Sequence, residues 1–488
     1  MLLRQTVLYL PAQVLGPIFQ LISAFAWTHF LVPAEMGAFA LISAAQELAY
    51  AMALNWFSVF TIRYYNPAAS PAEKSHFHAT ESGVLIWACL AMAIGLATIP
   101  LGAGGRLTGA LLAASLAFVI SRSLISYLAD RARTEGDAFA YTVLQSSGPV
   151  AGFFIALILV QVLPATAANV LTGYTIAQIA SLVFAAFRLD YAVTPLQADR
   201  AQITRALSYG LPLIFGGLMV WIANNGLRFL IEWKEGVAAV GLVTVGWALG
   251  LRAAQFASML TTAAAFPLAV RRAREEGIVA GQAQLVDNGV LLVAALAPAI
   301  AGLTIIGAPL ITMIVAAPYR AITTEVLPMA LVTGALRAVR LHFANQIFLL
   351  HEKPLIPTLN DGIDAALTVL LGGLGLWFGG LYGCVAGVMA GSAITLATGF
   401  ALAWRGYHFT FPPADLAKLS AATLIMALAV SRLDTLPAPL SLGLAISLGG
   451  LVYALALAAL YPARAARMAN ALQSLRAHSE LSGSSNKI

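Results

Sequence analysis

The chain has 488 residues, of which 60% are hydrophobic and 10% charged, with a formal net charge of +6 and a mean hydropathy of +0.85. That composition excludes an ordinary soluble domain. Apolar runs of about 20 residues, the length a helix needs to cross the hydrocarbon core, recur along the whole sequence and argue against the short alternating segments of a barrel.

Taken in chain order, the runs predict fourteen spans: 7–31, 37–61, 81–101, 107–128, 140–163, 167–187, 206–231, 238–268, 288–312, 324–349, 356–378, 381–404, 414–432 and 441–460. Pro309, Pro318 and Pro328 crowd the junction of the ninth and tenth. The expected fold class is therefore an all-α polytopic membrane protein. The first run follows a single Arg4 and is too long for a signal-peptide core, so it reads as the first span.

The sequence pI of about 9.4 reflects topology rather than nucleic-acid binding. With the N-terminus inside, seventeen of the 27 basic residues fall in cytoplasmic segments. Only Arg106, Lys234, Arg320 and Arg432 fall outside. The positive-inside rule then puts both termini in the cytoplasm.

No connecting segment is large enough to fold as a domain. The longest, at 62–80, 188–205 and 269–287, lie on the cytoplasmic side, and the last two read as interfacial helices. The tail from Pro462 reads as an amphipathic stretch running into a polar, disordered end. Cys89 and Cys384 sit in separate apolar spans without His or Cys neighbours, as buried thiols rather than a disulfide or metal site. No pattern calls for a metal or cofactor, and His351-Glu352-Lys353-Pro354 reads as a tight turn.

A weak internal repeat is present. FLVPAEMGAFALISAAQEL and FLIEWKEGVAAVGLVTVGWAL each place an apolar helix, a short acidic turn and a Gly that begins the next helix. Aligning Gly37 with Gly241 superposes span two on span eight. A six-helix repeat gives two halves of one orientation, related by a pseudo-two-fold axis along the membrane normal. The expected organisation is thus 1–205 and 206–412 as six-helix bundles, 413–461 as two added helices, and 462–488 as a cytoplasmic tail.

The remaining six basic residues, Arg122, Arg228, Arg252, Arg337, Arg340 and Lys418, fall inside the apolar runs. Each costs at least about 2.5–3.5 kcal/mol near a bilayer centre, so they are either used or hidden in pairs. They suggest a negatively charged cargo.

Four stretches carry a family resemblance. THFLVPAEMGAFALISA resembles the turn between helices one and two, and YGLPLIFGGLMVWIANNGLRFLI the seventh helix, of the polysaccharide-biosynthesis flippases. VAAPYRAITTEVLPMA is similar to their ninth-to-tenth junction, and LYGCVAGVMAGSAI to their Gly/Ala-rich twelfth helix. These proteins form the O-antigen translocase branch of the multidrug/oligosaccharidyl-lipid/polysaccharide exporter superfamily. Val243 departs from the aromatic usual in the second turn, where Phe39 stands in the first.

The resemblance implies a bacterial inner-membrane carrier, not an enzyme. It would move an undecaprenyl-diphosphate-linked glycan to the periplasmic leaflet, with glycosyltransferases and a polymerase as further partners beside the bilayer. Such cargo needs cations that match phosphate, and Arg binds phosphate oxygens through a planar, permanently charged fork. The depths of the charged residues suggest a central cavity ringed by Glu47, Arg122, Arg252, Arg337 and Arg340.

Two readings stand for most of these residues. Arg337 and Arg340 either face the cavity or pair with Asp361 and Asp364. Arg228 binds cargo, snorkels or pairs with Glu232, whereas Lys418 reads as snorkelling. Asn224 and Asn225 either hydrogen-bond sugars or hold helices together, as do Asn345, Gln346 and Asn360. Glu47, Asp361 and Asp364 are the candidates for ion coupling, against the alternative of carboxylates locked to Arg. Pro11, Pro17 and Pro212 either permit bending or mark helix irregularity.

Three rival functions are weighed against the flippase. A multidrug exporter of the same superfamily would favour an acidic cavity. A membrane enzyme of glycan assembly would be expected to carry a sizeable outer loop, and a scaffold would not need several buried Arg.

Overall fold

The computed structural model describes residues 2–98, 109–189, 198–262, 265–433 and 438–463. It is helical throughout, with no strand among those residues. Its helices are α1 (Leu2–Phe30), α2 (Pro33–Ala53), α3 (Asn55–Tyr64), α4 (Pro71–Thr98), α5 (Gly109–Glu135), α6 (Ala138–Ser147) and α7 (Phe153–Val162). They continue as α8 (Ala167–Arg188), α9 (Arg200–Glu235), α10 (Val237–Thr262), α11 (Ala265–Glu276), α12 (Ile278–Ile305) and α13 (Gly307–Ile314). The last are α14 (Ala317–Val339), α15 (Gln346–Leu350), α16 (Leu355–Tyr407), α17 (Pro413–Val430) and α18 (Ala438–Leu460).

Among the described residues, twelve helices are long and apolar enough to cross a membrane. The 53-residue α16 counts once in that set, although Gly379 (φ −130°) and Gly380 (φ 58°, ψ −146°) break it at the boundary expected between spans eleven and twelve. The 29-residue α1 lies outside the set. Two short π-helical turns, Gly148–Gly152 and Arg340–Ala344, interrupt otherwise continuous helix.

Local chemistry explains several ends. Pro33 begins α2 after the extended Val32, at the position where a missing N–H costs nothing. The Glu35 carboxylate accepts a hydrogen bond from the Ala167 N–H at 2.6 Å, placing an anion at the start of α8. The segment expected as a 62–80 loop is mostly helix, since α4 begins at Pro71. In the 269–287 segment, α11 and α12 nearly abut at Gly277, whose φ of 98° makes the turn. Residues 190–197 of the expected 188–205 connecting segment and the tail from 464 lie outside the described residues.

The chain divides into two compact units. The first comprises 1–252, 314–333 and 354–395. Within it α5 is central, packing against α2, α3, α4, α6 and α8. A second packed region joins Leu41, Leu227, Val240, Trp247, Val326 and Val388. The starts of α2 and α10 touch backbone to backbone. A Cβ on Gly37 would lie 1.9 Å from the Val237 carbonyl oxygen, and one on Gly241 2.0 Å from that of Pro33. Each glycine thus meets the carbonyl four residues before the other, a reciprocal contact between the two residues that the sequence repeat aligns. The two segments of α16 are equally close: Gly375 and Gly383 each face the other's carbonyl, the approach that small residues allow between membrane helices.

The second unit comprises 253–313, 334–353 and 396–488. Here α12 packs against α11, α15, α17 and α18. Phe343 is surrounded by Phe400, Phe409 and Phe411.

Candidate functional site

A cavity of about 360 Å³ opens within the first unit, between α1, α2, α5, α8, α9 and α10. Helix α2 supplies Ser43, Gln46, Glu47 and Tyr50 to its wall. Helix α5 supplies Phe118, Arg122 and Ser126, and α8 supplies Tyr174 and Gln178. Arg228 enters from α9, and Thr244 and Arg252 from α10. Gly148 and Pro149, in the π-helical turn, complete the side next to Arg122.

The cations in this cavity are not neutralised by carboxylates. Among the described residues, Arg122, Arg228 and Arg252 form no ion pair. Nη1 of Arg122, Nε of Arg228 and Nη1 of Arg252 are buried without a hydrogen-bond partner. The Thr244 hydroxyl is also unpartnered. A buried donor with no acceptor costs about 1–3 kcal/mol, more when charged, so these donors can each take an acceptor that enters the cavity.

Glu47 is exposed to the cavity and is its single lining carboxylate. It reaches Arg228 only through an amide: Asn225 Nδ2 donates to Glu47 Oε2 at 3.1 Å, and Arg228 Nη1 donates to Asn225 Oδ1 at 2.9 Å. That relay orients both groups without a direct ion-pair contact between them. Three guanidinium groups against one carboxylate leave the lining with a net charge of +2. The neutral part of the wall is held by its own bonds, Ser121 Oγ to Gln178 Oε1 at 2.6 Å and Gln46 Nε2 to Ser123 Oγ at 3.2 Å.

The structure therefore brings together Glu47, Arg122, Arg228 and Arg252, with Asn225 behind them. Arg337 and Arg340 belong to the second unit and are not among the lining residues, with Arg340 buried in a π-helical turn. Asp361 and Asp364 lie on α16 and do not line the cavity either. Asp364 is fully buried and accepts a hydrogen bond from Ser392. Asn224 is exposed on α9, outside the lining.

Of the alternatives for Arg228, two fall away. Arg228 neither snorkels nor pairs with Glu232, because it faces the cavity while Glu232 Oε1 has no hydrogen-bond partner. Lys418 stays near a helix start, its ammonium 4.9 Å from the centre of the Tyr461 ring. Sequence reasoning missed Tyr174, Gln178 and Thr244, which carry no charge to mark them. It also missed a second polar cluster on the far side of α5, around Glu81 and Arg131.

Comparisons with known proteins agree with this architecture. The sequence profile of the family described as "Polysaccharide biosynthesis protein" matches residues 28–324. The lipid II flippase MurJ, in an inward closed conformation, is similar in structure, with a TM-score of 0.74 at 15% identity over 93% of this chain and 99% of that one. An inward-facing multidrug resistance MATE family transporter of the MOP superfamily gives a TM-score of 0.55 at 15% identity, over 85% and 98% of the two chains. Comparison with curated protein sequences gives no match. At such identities the structural likeness shows a shared fold. The profile, spanning more than half of the sequence, shows that the chain belongs to the polysaccharide biosynthesis protein family.

Proposed function

We propose that the protein is a flippase that moves an undecaprenyl-diphosphate-linked oligosaccharide from the cytoplasmic to the periplasmic leaflet of a bacterial inner membrane by alternating access. The observation that carries this reading is the set of three unpaired guanidinium groups in one cavity. A diphosphate esterified at both ends carries two ionised oxygens, which match the net +2 of the lining. Arg suits them because its fork binds phosphate oxygens in pairs. The polyprenyl chain can stay in lipid while the polar head crosses roughly 30 Å of hydrocarbon.

In this reading Glu47 limits the positive charge, so that the cargo is held loosely enough to leave. Asn225 keeps Glu47 and Arg228 from collapsing into an ion pair when the cavity is empty. Both termini would be cytoplasmic, and the cargo would pass from glycosyltransferases on one side to a polymerase on the other. The multidrug-exporter alternative draws support from the MATE-like fold, but a cationic lining disfavours cationic drugs.

The test is translocation of a synthetic polyprenyl-diphosphate sugar in proteoliposomes. Transport by the wild type and its loss in Arg122→Ala and Arg252→Ala, with both variants abundant and folded, is the expected result. Transport by both variants at the wild-type rate, or export of organic cations by the wild type with no movement of the lipid-linked sugar, would overturn the proposal.

A further inference from the structure

Nine residues separate Arg122 from Arg131 on α5, which places them about 13 Å apart along the axis and on opposite faces. Arg122 lines the cavity, whereas Arg131, 2% exposed, is enclosed between α3, α4 and α5. Its guanidinium donates from Nε to Glu81 Oε1 at 3.1 Å, from Nη1 to Glu135, and from Nη2 to His78 Nε2 at 2.8 Å. It lies 3.8 Å from the centre of the Tyr65 ring, and the Tyr65 hydroxyl donates to Glu135 at 3.3 Å. This is a saturated cation, unlike the three in the cavity.

The anionic side of the cluster is not saturated. Glu81 is fully buried, and its Oε1 takes two donors, Arg131 Nε and the Tyr127 hydroxyl at 2.6 Å. Its Oε2 is buried and takes none. A guanidinium can only donate, so His78 Nε2 must accept, and the imidazole is neutral with its hydrogen on Nδ1. One Arg therefore faces two carboxylates, Glu81 and Glu135, and the cluster carries a net charge of −1 when both are ionised. A buried, uncompensated carboxylate oxygen is the most costly group such a site can hold.

The other groups around Glu81 do not remove that charge. From α3 come the Thr61 hydroxyl, 3.3 Å from the Tyr127 oxygen, and the Tyr65 ring beyond it. From the start of α9, Asp199 donates its backbone N–H to Thr80 and faces the exposed His76 at 3.9 Å. The titratable groups of α2 lie elsewhere: Glu47 lines the cavity, Tyr50 donates to Asp130, and Glu35 caps α8.

We propose that Glu81 Oε2 is a proton-binding site, and that its loading couples a proton to transport. One proton from solvent adds to Oε2, converting the carboxylate to a carboxylic acid and bringing the cluster from −1 to neutral. Oε1 keeps both of its donors in either state, but once the carboxyl is neutral these bonds lose the charge that strengthens them, and α4 holds α5 less tightly. Helix α5 carries Arg131 at this site and Arg122 at the cavity, so a change in how α4 grips α5 moves a cargo-facing cation. The coupling part rests on the flippase reading; the proton site does not. Glu47, Asp361 and Asp364 are then not required as the coupling acids.

The test is infrared difference spectroscopy of the full chain in lipid nanodiscs across a pH series. A protonated-carboxyl band is expected in the wild type, absent in Glu81→Gln and displaced in frequency in Glu81→Asp. A wild-type band that survives unchanged in Glu81→Gln, or no such band at any pH, overturns the proton site. If Glu81→Gln does not fold, the Glu81→Asp displacement decides alone. In proteoliposomes, the ratio of translocation rates with and without a proton gradient should fall to one in Glu81→Gln, and an unchanged ratio overturns the coupling. A wild type that moves no lipid-linked sugar would defeat the flippase reading, while the infrared band still decides the proton site.

Discussion

The two faces of α5 hold arginines in opposite circumstances. Arg131 spends its donors on Glu81, Glu135 and His78 and is sealed from solvent. Arg122, two and a half turns away, has a buried Nη1 with no partner and faces a cavity. The same side chain is structural in one place and available in the other, and the difference lies in what the neighbouring helices supply. Helix α4 offers a carboxylate and an imidazole, whereas α8 and the π-helical turn offer a neutral amide, Gly148 and Pro149. Availability, not the presence of a charge, separates a ligand site from a scaffold.

The largest effect that tests this contrast is on stability. Arg131→Ala leaves the fully buried Glu81 and the half-buried Glu135 without a counter-charge, and removing one member of such a group costs about 3–5 kcal/mol. Membrane abundance and thermal unfolding in detergent should both drop sharply. Arg252→Ala removes a cation that pairs with nothing, so its unfolding temperature should match or exceed that of the wild type. Equal destabilisation by the two substitutions would erase the distinction.

The next effect lies in the helix contact that frames the cavity wall. Gly37→Ala places a methyl carbon 1.9 Å from the Val237 carbonyl oxygen, and Gly241→Ala one 2.0 Å from that of Pro33. Both partners are backbone, so the helices themselves must separate, at a cost of about 1–3 kcal/mol or more for each substitution. The contact is reciprocal, so one separation accommodates both methyls. The double variant should therefore cost clearly less than the sum of the singles. Strict additivity in a double-mutant cycle would mean that the two glycines do not share one interface.

Much of this architecture was legible in the sequence because lipid imposes a coarse rule: apolar for about 20 residues, or no span. The break at Gly379–Gly380 followed from hydropathy, and the repeat aligned Gly37 with Gly241, although their backbone contact did not show in it. The cavity was half legible. Arg122, Arg252 and Glu47 stood out as charges at depth, but depth does not tell which way a side chain faces. For that reason the alternatives for Arg228 stayed open in the sequence, and so did the place of Arg337 and Arg340, which are not among the lining residues. The Glu81 cluster was hidden by a boundary: PAEKSHFHATES is polar enough to read as a loop, yet it forms the first turns of α4. Its polar residues are tolerated in a helix because Arg131 and Tyr127 on α5 answer them, a partnership no local pattern reveals.

The third effect concerns cargo rather than stability. Hydrogen bonds to charged groups are worth about 1.5–3 kcal/mol each. Loss of Arg122 or Arg252 should therefore weaken binding of a soluble short-chain prenyl diphosphate roughly ten- to a hundred-fold, read by calorimetry. Arg252→Lys retains the charge without the fork and should recover only part of that loss. Full recovery by Lys would mean that the cavity reads charge and not phosphate geometry.

The smallest effect is found where a charge pair is neither sealed nor cavity-facing. Asp137 caps α6, accepting from the Ala140 N–H at 3.0 Å and from Arg188 Nε at 2.8 Å. Partial burial works to raise its affinity for a proton, but the backbone N–H and the Arg188 guanidinium outweigh that and hold the carboxyl below its usual range. A depressed carboxyl stabilises the fold above its unfolded-state pKa, and this contribution is lost as pH falls through the folded value. Asp137→Ala should remove the cap, at about 1 kcal/mol, and flatten the acid limb of the unfolding profile. Arg188→Ala should change little, because an exposed pair contributes between nothing and about 1 kcal/mol. A large loss in Arg188→Ala would show that an exposed arginine can be as structural as Arg131, and burial would no longer explain the contrast between the two faces of α5.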